Sequence, residues 1–159
     1  MKIDQIYIDY ASDVYRFLLS LSHDENIAKE LLQETFYRAY VKAKDNQNIY
    51  NVRVWLCQIA KYTYFEYCRK QHNEVFYDDS LEIIDSVTPH SILIEKESIK
   101  EIFEALEDVS YLQQQIFFLR VYNQMSFQEI GDIFNKSDNW ARVHYFRVKH
   151  YLREKVEKK

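Results

Sequence analysis

The 159-residue chain holds one glycine, Gly131, and one proline, Pro89. Phosphate-cradling loops and dinucleotide-binding fingerprints need several glycines at fixed spacing, so the chain builds neither. Sandwiches and barrels of β-strands turn on many glycines and prolines, which argues against an all-β fold. Cysteine is scarce too, with only Cys57 and Cys68. On a single helix these two would lie roughly 16 Å apart along the axis, beyond the reach of a disulfide. No histidine pair stands near them, so a zinc site is not indicated and they read as reduced, packed thiols. The five histidines (23, 72, 90, 144 and 150) form no HExxH motif and no i, i+4 pair. No run approaches the ~18 apolar residues of a membrane span, and the first residues lack the pattern of a secretory signal. The expectation is a cytoplasmic protein with no catalytic residue, no metal and no cofactor.

What is present points to helices. The chain is 47% hydrophobic and 29% charged, the balance of a folded protein of one domain or two small ones. Glu, Lys, Leu, Ile and Gln are frequent, so the predicted fold class is all-α. The net charge of −4 hides an uneven distribution. Residues 1–72 carry ten bases and nine acids, and residues 73–95 carry six acids and no base. Residues 96–134 carry three bases and seven acids, whereas 135–159 carry eight bases and three acids. An acidic chain with a basic end remains a candidate for nucleic-acid binding.

Three apolar stripes at three- and four-residue steps mark helices in the first half. The first is Ile3, Ile6, Tyr7, Tyr10, Val14, Phe17, Leu18 and Leu21. The second is Ile27, Ala28, Leu31, Leu32, Thr35, Phe36 and Ala39, with Ser22 or Asp24 as its cap. The third is Val52, Trp55, Leu56, Ile59, Ala60, Thr63 and Tyr67, ending near Arg69-Lys70, where cations suit a helix C-terminus. Residues 73–95 show no period and read as an acidic linker. Helix resumes at Ile99, Ile102, Phe103 and Leu106. Ser110 can cap a helix that turns Leu112, Ile116 and Leu119 inward.

The strongest local signal follows. Ser126-Phe127-Gln128-Glu129 is a capping box opening a short helix. Asn135-Lys136 suits a turn with a left-handed residue, and Ser137 can cap a long basic helix to about Val156. Short helix, tight turn and longer basic helix make a helix-turn-helix, whose second helix fits the DNA major groove. Asn139 and Arg142 would carry donors to base edges, and Trp140 an apolar face or a phosphate contact through its indole N–H. Lys136, His144, Arg147, Lys149 and Arg153 could neutralise phosphates. Val143, Phe146 and Leu152 are expected to pack against the first helix of the pair. The pattern alone also fits an amphipathic helical hairpin with a solvated basic face. In the third helix, Arg53, Lys61, Tyr62, Tyr64, Phe65, Arg69 and Lys70 alternate cations with rings, a mixture that stacks unpaired bases and holds their backbone. The plain alternative is that most of these rings are core, as expected for Trp55 and Tyr67.

Taken together, three segments resemble the extracytoplasmic-function (ECF) sigma factors of bacterial RNA polymerase, in the sigma-70 family. Residues 24–40, DENIAKELLQETFYRAY, are similar to the family's region 2 pattern D-L-V-Q-E-T-F-x-R-A-Y. Residues 55–70, WLCQIAKYTYFEYCRK, are similar to W-L-x-x-I-A-x-N-x-x-x-D-x-x-R-R, with Tyr62 in place of the family's Asn. Residues 112–152 resemble region 4, with Asn139-Trp140-Ala141-Arg142 where the family has Gly-Thr-Val-Lys. The resemblance implies a region 2 domain over 1–72, a linker over 73–95 and a region 4 helix-turn-helix domain over 96–159. It implies that Glu30, Gln33 and Glu34 grip the β′ clamp helices of RNA polymerase, and that the polymerase β flap is a second contact. It implies that the 45–51 loop, with Asn48, Tyr50 and Asn51, captures a flipped base of the −10 element. Arg53, Lys61, Tyr62, Phe65 and Arg69 would hold the melted strand. Lys136, Asn139, Trp140, Arg142, Val143, His144 and Arg147 would engage the −35 element. The implied partners are core RNA polymerase, promoter DNA and an anti-sigma factor. Two other functions compete with it: a dimeric one-component helix-turn-helix regulator that binds duplex DNA without polymerase, and a helical adaptor that binds only protein.

Overall fold

A computed structural model describes residues 2–45, 48–75, 101 and 104–157. The described residues form six helices and no strand. The chain divides into two compact units, Met1–Thr88 and Pro89–Lys159. The all-α reading therefore holds, in two helical units. Most of the expected linker, together with Ile99, Ile102 and Phe103, lies outside the described residues.

The first unit has three helices, α1 (Ile3–Ser22), α2 (Glu25–Asp45) and α3 (Val52–Val75), each packed on the other two. The sequence stripes meet at their centre, where Val14, Phe17, Leu18, Ala28, Ala39, Leu56 and Ala60 are sealed from solvent. The α1–α2 corner is a residue-by-residue device. His23 takes a left-handed conformation (φ 55°) and its N–H caps Leu19 O at 2.8 Å. Asp24 Oδ1 then accepts the N–H groups of Asn26 and Ile27 at 2.8 and 3.0 Å, which starts α2. Asn51 starts α3 in the same way, its Oδ1 accepting the Val54 N–H at 3.1 Å. Cys57 and Cys68 are free thiols, as expected, with Cys57 buried. Burial also pushes the Cys68 thiol above its usual range, which keeps it protonated and unreactive.

α3 runs past Arg69-Lys70, where the sequence reading ended it. Cations tolerate a helix C-terminus but do not make one, and nothing in Gln71–Val75 breaks a helix.

The second unit has α4 (Tyr111–Val121), α5 (Phe127–Phe134) and α6 (Asp138–Glu157). Its core is Leu106, Ile116, Phe118, Leu119, Met125, Ile130, Ile133, Ala141 and Val148. The three caps fall where the sequence puts them. Ser110 Oγ accepts the Gln113 N–H, Ser126 and Glu129 satisfy each other's backbone donors, and Ser137 Oγ accepts the Trp140 N–H. Asn135 is left-handed (φ 60°) and Lys136 N–H closes back on Gly131 O at 2.8 Å. Gly131 itself is helical. It is required for space: a Cβ there would stand 2.6 Å from the Ser137 carbonyl oxygen and 2.7 Å from that of Lys136. The missing side chain lets α5 run directly under the turn that launches α6.

Candidate nucleic-acid interface

In the second unit the geometry is that of a helix-turn-helix, with α5, a three-residue turn whose first residue, Asn135, is left-handed, and α6. Burial defines the two faces of α6. Ala141 and Val148 are inward, and Tyr145 stacks on Phe117 and tilts onto Phe127, with ring centroids 5.8 and 5.5 Å apart. The opposite face therefore carries Asn139, Val143 and Phe146, which follow one another at three- and four-residue steps. Val143 is 39% exposed and Phe146 49% exposed, and Leu152 is half-buried. The expected packing on the first helix is thus corrected for Val143 alone: Phe146, though half exposed, still tilts onto Phe127 of α5 with ring centroids 6.2 Å apart. α6 has apolar residues on nearly every side, so its period does not select a face. Tyr145, which stacks on α4 and α5, takes the inner place, and Phe146 shares Phe127 with it from the outer side.

The cations of the turn and α6 divide into two kinds. Lys136, Arg147, Lys149 and Arg153 are exposed. Arg142 is exposed but anchored: its Nη2 lies 3.6 Å from Asp138 Oδ2, and its guanidinium is 5.1 Å from the centre of the Phe127 ring. Arg120 approaches that same ring at 4.1 Å and donates to Met125 O at 2.9 Å. Phe127, which the sequence reading used only as part of the capping box, is the platform that fixes the fork of Arg142. His144 is not a phosphate-neutralising cation. Its Nδ1 pairs with Gln113 Nε2 at 2.9 Å, its ring lies edge-on to Trp140, and burial, then Arg147, push its pKa down. Trp140 is half-buried between His144 and Phe134, with part of its edge left toward solvent.

In the first unit, Tyr62, Phe65 and Arg69 line one outer stripe of α3. Tyr62 is 56% exposed and Phe65 40% exposed, which places both rings outside the core. Trp55 and Tyr67 are half-buried. Lys61 is half-buried beside them and burial lowers its pKa. Arg53 turns toward α1, with Nη1 3.8 Å from Asp13 Oδ2, so it faces away from the stripe's open side. Before α3, Tyr50 is fully exposed and Asn48 is exposed. Asn51, expected in a base-capturing loop, has its side-chain oxygen engaged as the cap of α3.

On α2, Glu30 and Gln33 are exposed. Glu34 is shared inward: its Oε2 accepts from Arg38 Nε at 2.8 Å. Arg38 also binds Glu66 of α3. That contact, first, and Glu34, second, raise the guanidinium's pKa, and the Arg38 hydrogen bond holds the Glu66 carboxyl below the usual carboxylate range. Glu34 and Arg38 at i, i+4 are readable in the sequence. The partner on α3 is not, because it depends on how two helices cross. Among the described residues, no helix is long and apolar enough to cross a membrane.

The model of sigma-70 region 2 matches residues 6–74. The chain is 32% identical to the ECF RNA polymerase sigma factor SigM of Bacillus subtilis (strain 168) over 156 residues, covering 96% of this chain and 94% of SigM. It is 25% identical to the ECF RNA polymerase sigma factor SigX of the same organism, over 96% of this chain and 82% of SigX. Its fold is like that of the sigma factor RpoE in a co-crystal with the anti-sigma factor NepR from Bartonella quintana. The TM-score is 0.76 at 19% identity, with 97% of this chain and 96% of that one covered. The region 2 match together with 32% identity along nearly the whole of both chains is decisive: the chain belongs to the ECF RNA polymerase sigma factors.

Proposed function

We propose that this protein is a transcription initiation factor that binds core RNA polymerase, carries it to specific promoters and assists strand opening. The observation that carries the reading is the likeness to SigM along nearly the whole of both chains. In this reading residues 1–72 form the region 2 domain, 73–95 an acidic linker and 96–159 the region 4 domain. Glu30, Gln33 and Glu34 meet the β′ clamp helices, and region 4 meets the β flap. Tyr62, Phe65, Lys61 and Arg69 hold the unpaired −10 strand, offering rings for bases and cations for phosphates. Asn48 and Tyr50 stand at the loop that receives a flipped base. α6 enters the major groove at the −35 element. Asn139 and Arg142 read base edges, Val143 adds an apolar contact, and Lys136 and Arg147 fix the register through phosphates. The protein itself makes and breaks no bond and works in the cytoplasm, where polymerase is. An anti-sigma factor that covers these faces holds it inactive.

Gel filtration with purified core polymerase tests the assembly. The wild-type chain is expected to comigrate with core. Glu34→Arg, with its helical circular dichroism intact, is expected to lose more than about tenfold in affinity, because a reversed charge on a docking face leaves its partner unpaired. A stable dimer that ignores core polymerase and binds duplex DNA tightly on its own would replace this reading with a one-component regulator.

A further inference from the structure

Arg38 belongs to neither surface assigned above, yet it touches both. Its Nε donates to Glu34, on the face that meets polymerase, at 2.8 Å. Its terminal nitrogens reach α3, binding Glu66 and lying 3.5 Å from Thr63 Oγ1. The Thr63 hydroxyl is itself fixed, donating to Ile59 O at 2.7 Å. The guanidinium carbon of Arg38 stands 5.9 Å from the centre of the Tyr62 ring, and that of Arg69 stands 6.0 Å from the same ring. One cation is thus divided between a carboxylate on one surface and an exposed aromatic ring on the other.

The two carboxylates on Arg38 are not equivalent. Glu66 is committed to it, with its side chain only 27% exposed. The Glu34 side chain is 44% exposed, so a cation on a docking partner can claim it. A guanidinium attracts an aromatic face or a phosphate in proportion to the charge its neighbours leave unneutralised. With Glu34 engaged elsewhere, Arg38 holds more of its charge for the Tyr62 ring and for a nucleotide laid against it.

We propose that Arg38 is a positioning residue that couples the two surfaces, so that drawing Glu34 into the polymerase contact strengthens the hold of the Tyr62 stripe on single-stranded DNA. This rests on the roles given to Glu34 and Tyr62 under Proposed function. Linkage makes the coupling reciprocal: a bound strand strengthens the hold on polymerase by the same factor. The free protein then binds single strands weakly, and the docked protein binds them well. A factor that must not open DNA alone needs that order of events.

The test uses the full chain without polymerase. The probe is a short fluorescein-labelled non-template strand from a promoter whose start the reconstituted holoenzyme has mapped, read by anisotropy. Glu34→Gln imitates a neutralised Glu34. It is expected to bind the strand about fivefold more tightly than wild type, although it binds core polymerase more weakly. Asp9→Asn, on the outer side of α1, measures the general effect of losing one negative charge, and the Glu34→Gln gain must exceed it. In an Arg38→Gln background, Glu34→Gln is expected to gain no more than that control. Unchanged or weaker strand binding by Glu34→Gln, or an equal gain with and without Arg38, overturns the coupling and leaves the assigned surfaces standing. If the wild-type holoenzyme maps no start, the surfaces themselves are wrong and the coupling falls with them.

Discussion

His23 shows how much one position can carry. With one glycine in the chain, the left-handed corners among the described residues fall on His23, Gln124 and Asn135. Asn135 is legible from sequence because Asn tolerates that region. Gln124 is not, since nothing in its residue type asks for it, and His23 only weakly so, since His visits that region less readily than Gly. His23 is also half-buried, and burial lowers its pKa to about 4 from 6.5, against a smaller raising effect of the Ser20 backbone. The unfolded chain therefore takes up a proton below 6.5 that the folded one refuses. Stability is complete above pH 6.5 and falls as pH drops toward 4, by about 3 kcal/mol at most. His23→Asn keeps a residue suited to the corner and removes the titration. Urea unfolding between pH 7 and 4.5 is expected to show a steep loss for wild type and a flatter one for His23→Asn. Parallel losses would contradict the assignment. Near pH 4 and below, the Glu66–Arg38 pair adds its own loss, because a carboxyl held low contributes stability only while ionised.

Among the elements, the caps and core stripes were readable because they depend on neighbours three or four residues away. Asp24, Ser110, the Ser126–Glu129 box and Ser137 all cap where local sequence says they do. Whatever depends on a second helix was hidden. Arg38 finds Glu66 across the α2–α3 contact, His144 finds Gln113 across α4–α6, and Phe127 becomes the seat of Arg142 only once α5 and α6 cross. α6 is the clearest case: Tyr145 takes the inner place against α4 and α5, and Phe146 is left half exposed at its edge, touching the Phe127 side of the groove. Two substitutions on this helix separate its roles. Arg147→Ala is expected to weaken holoenzyme binding to all promoters alike and to reduce the slope of log affinity against log salt by about one. Arg142→Ala is expected to blunt discrimination at one −35 base by about 1–3 kcal/mol with little change in that slope. Binding isotherms at several salt concentrations on matched and single-base-changed promoters read both quantities. Unchanged selectivity in both variants would remove α6 from sequence reading.

For the molecule as a whole, charge and sequence likeness carry more than the core does. The core tells only that two helical units fold. The basic surplus over residues 135–159 and the acids over 73–95 mark where partners differ, and the likeness to SigM runs through both units. Family membership was legible from three motifs in order. The finer roles were less so, because the family's Asn is Tyr62 here and its Gly-Thr-Val-Lys is Asn139-Trp140-Ala141-Arg142. These departures fall on the stripe and the helix assigned to promoter recognition, so the promoters read are expected to be this protein's own. The central claim is that the chain gives polymerase a promoter choice. Its most direct measurement is multi-round transcription by purified bacterial core polymerase on fragmented genomic DNA of the source organism, with and without the protein. New, discrete start sites that share two upstream elements are the result expected. An unchanged set of starts, from a protein that is folded and present in excess over core, would contradict it.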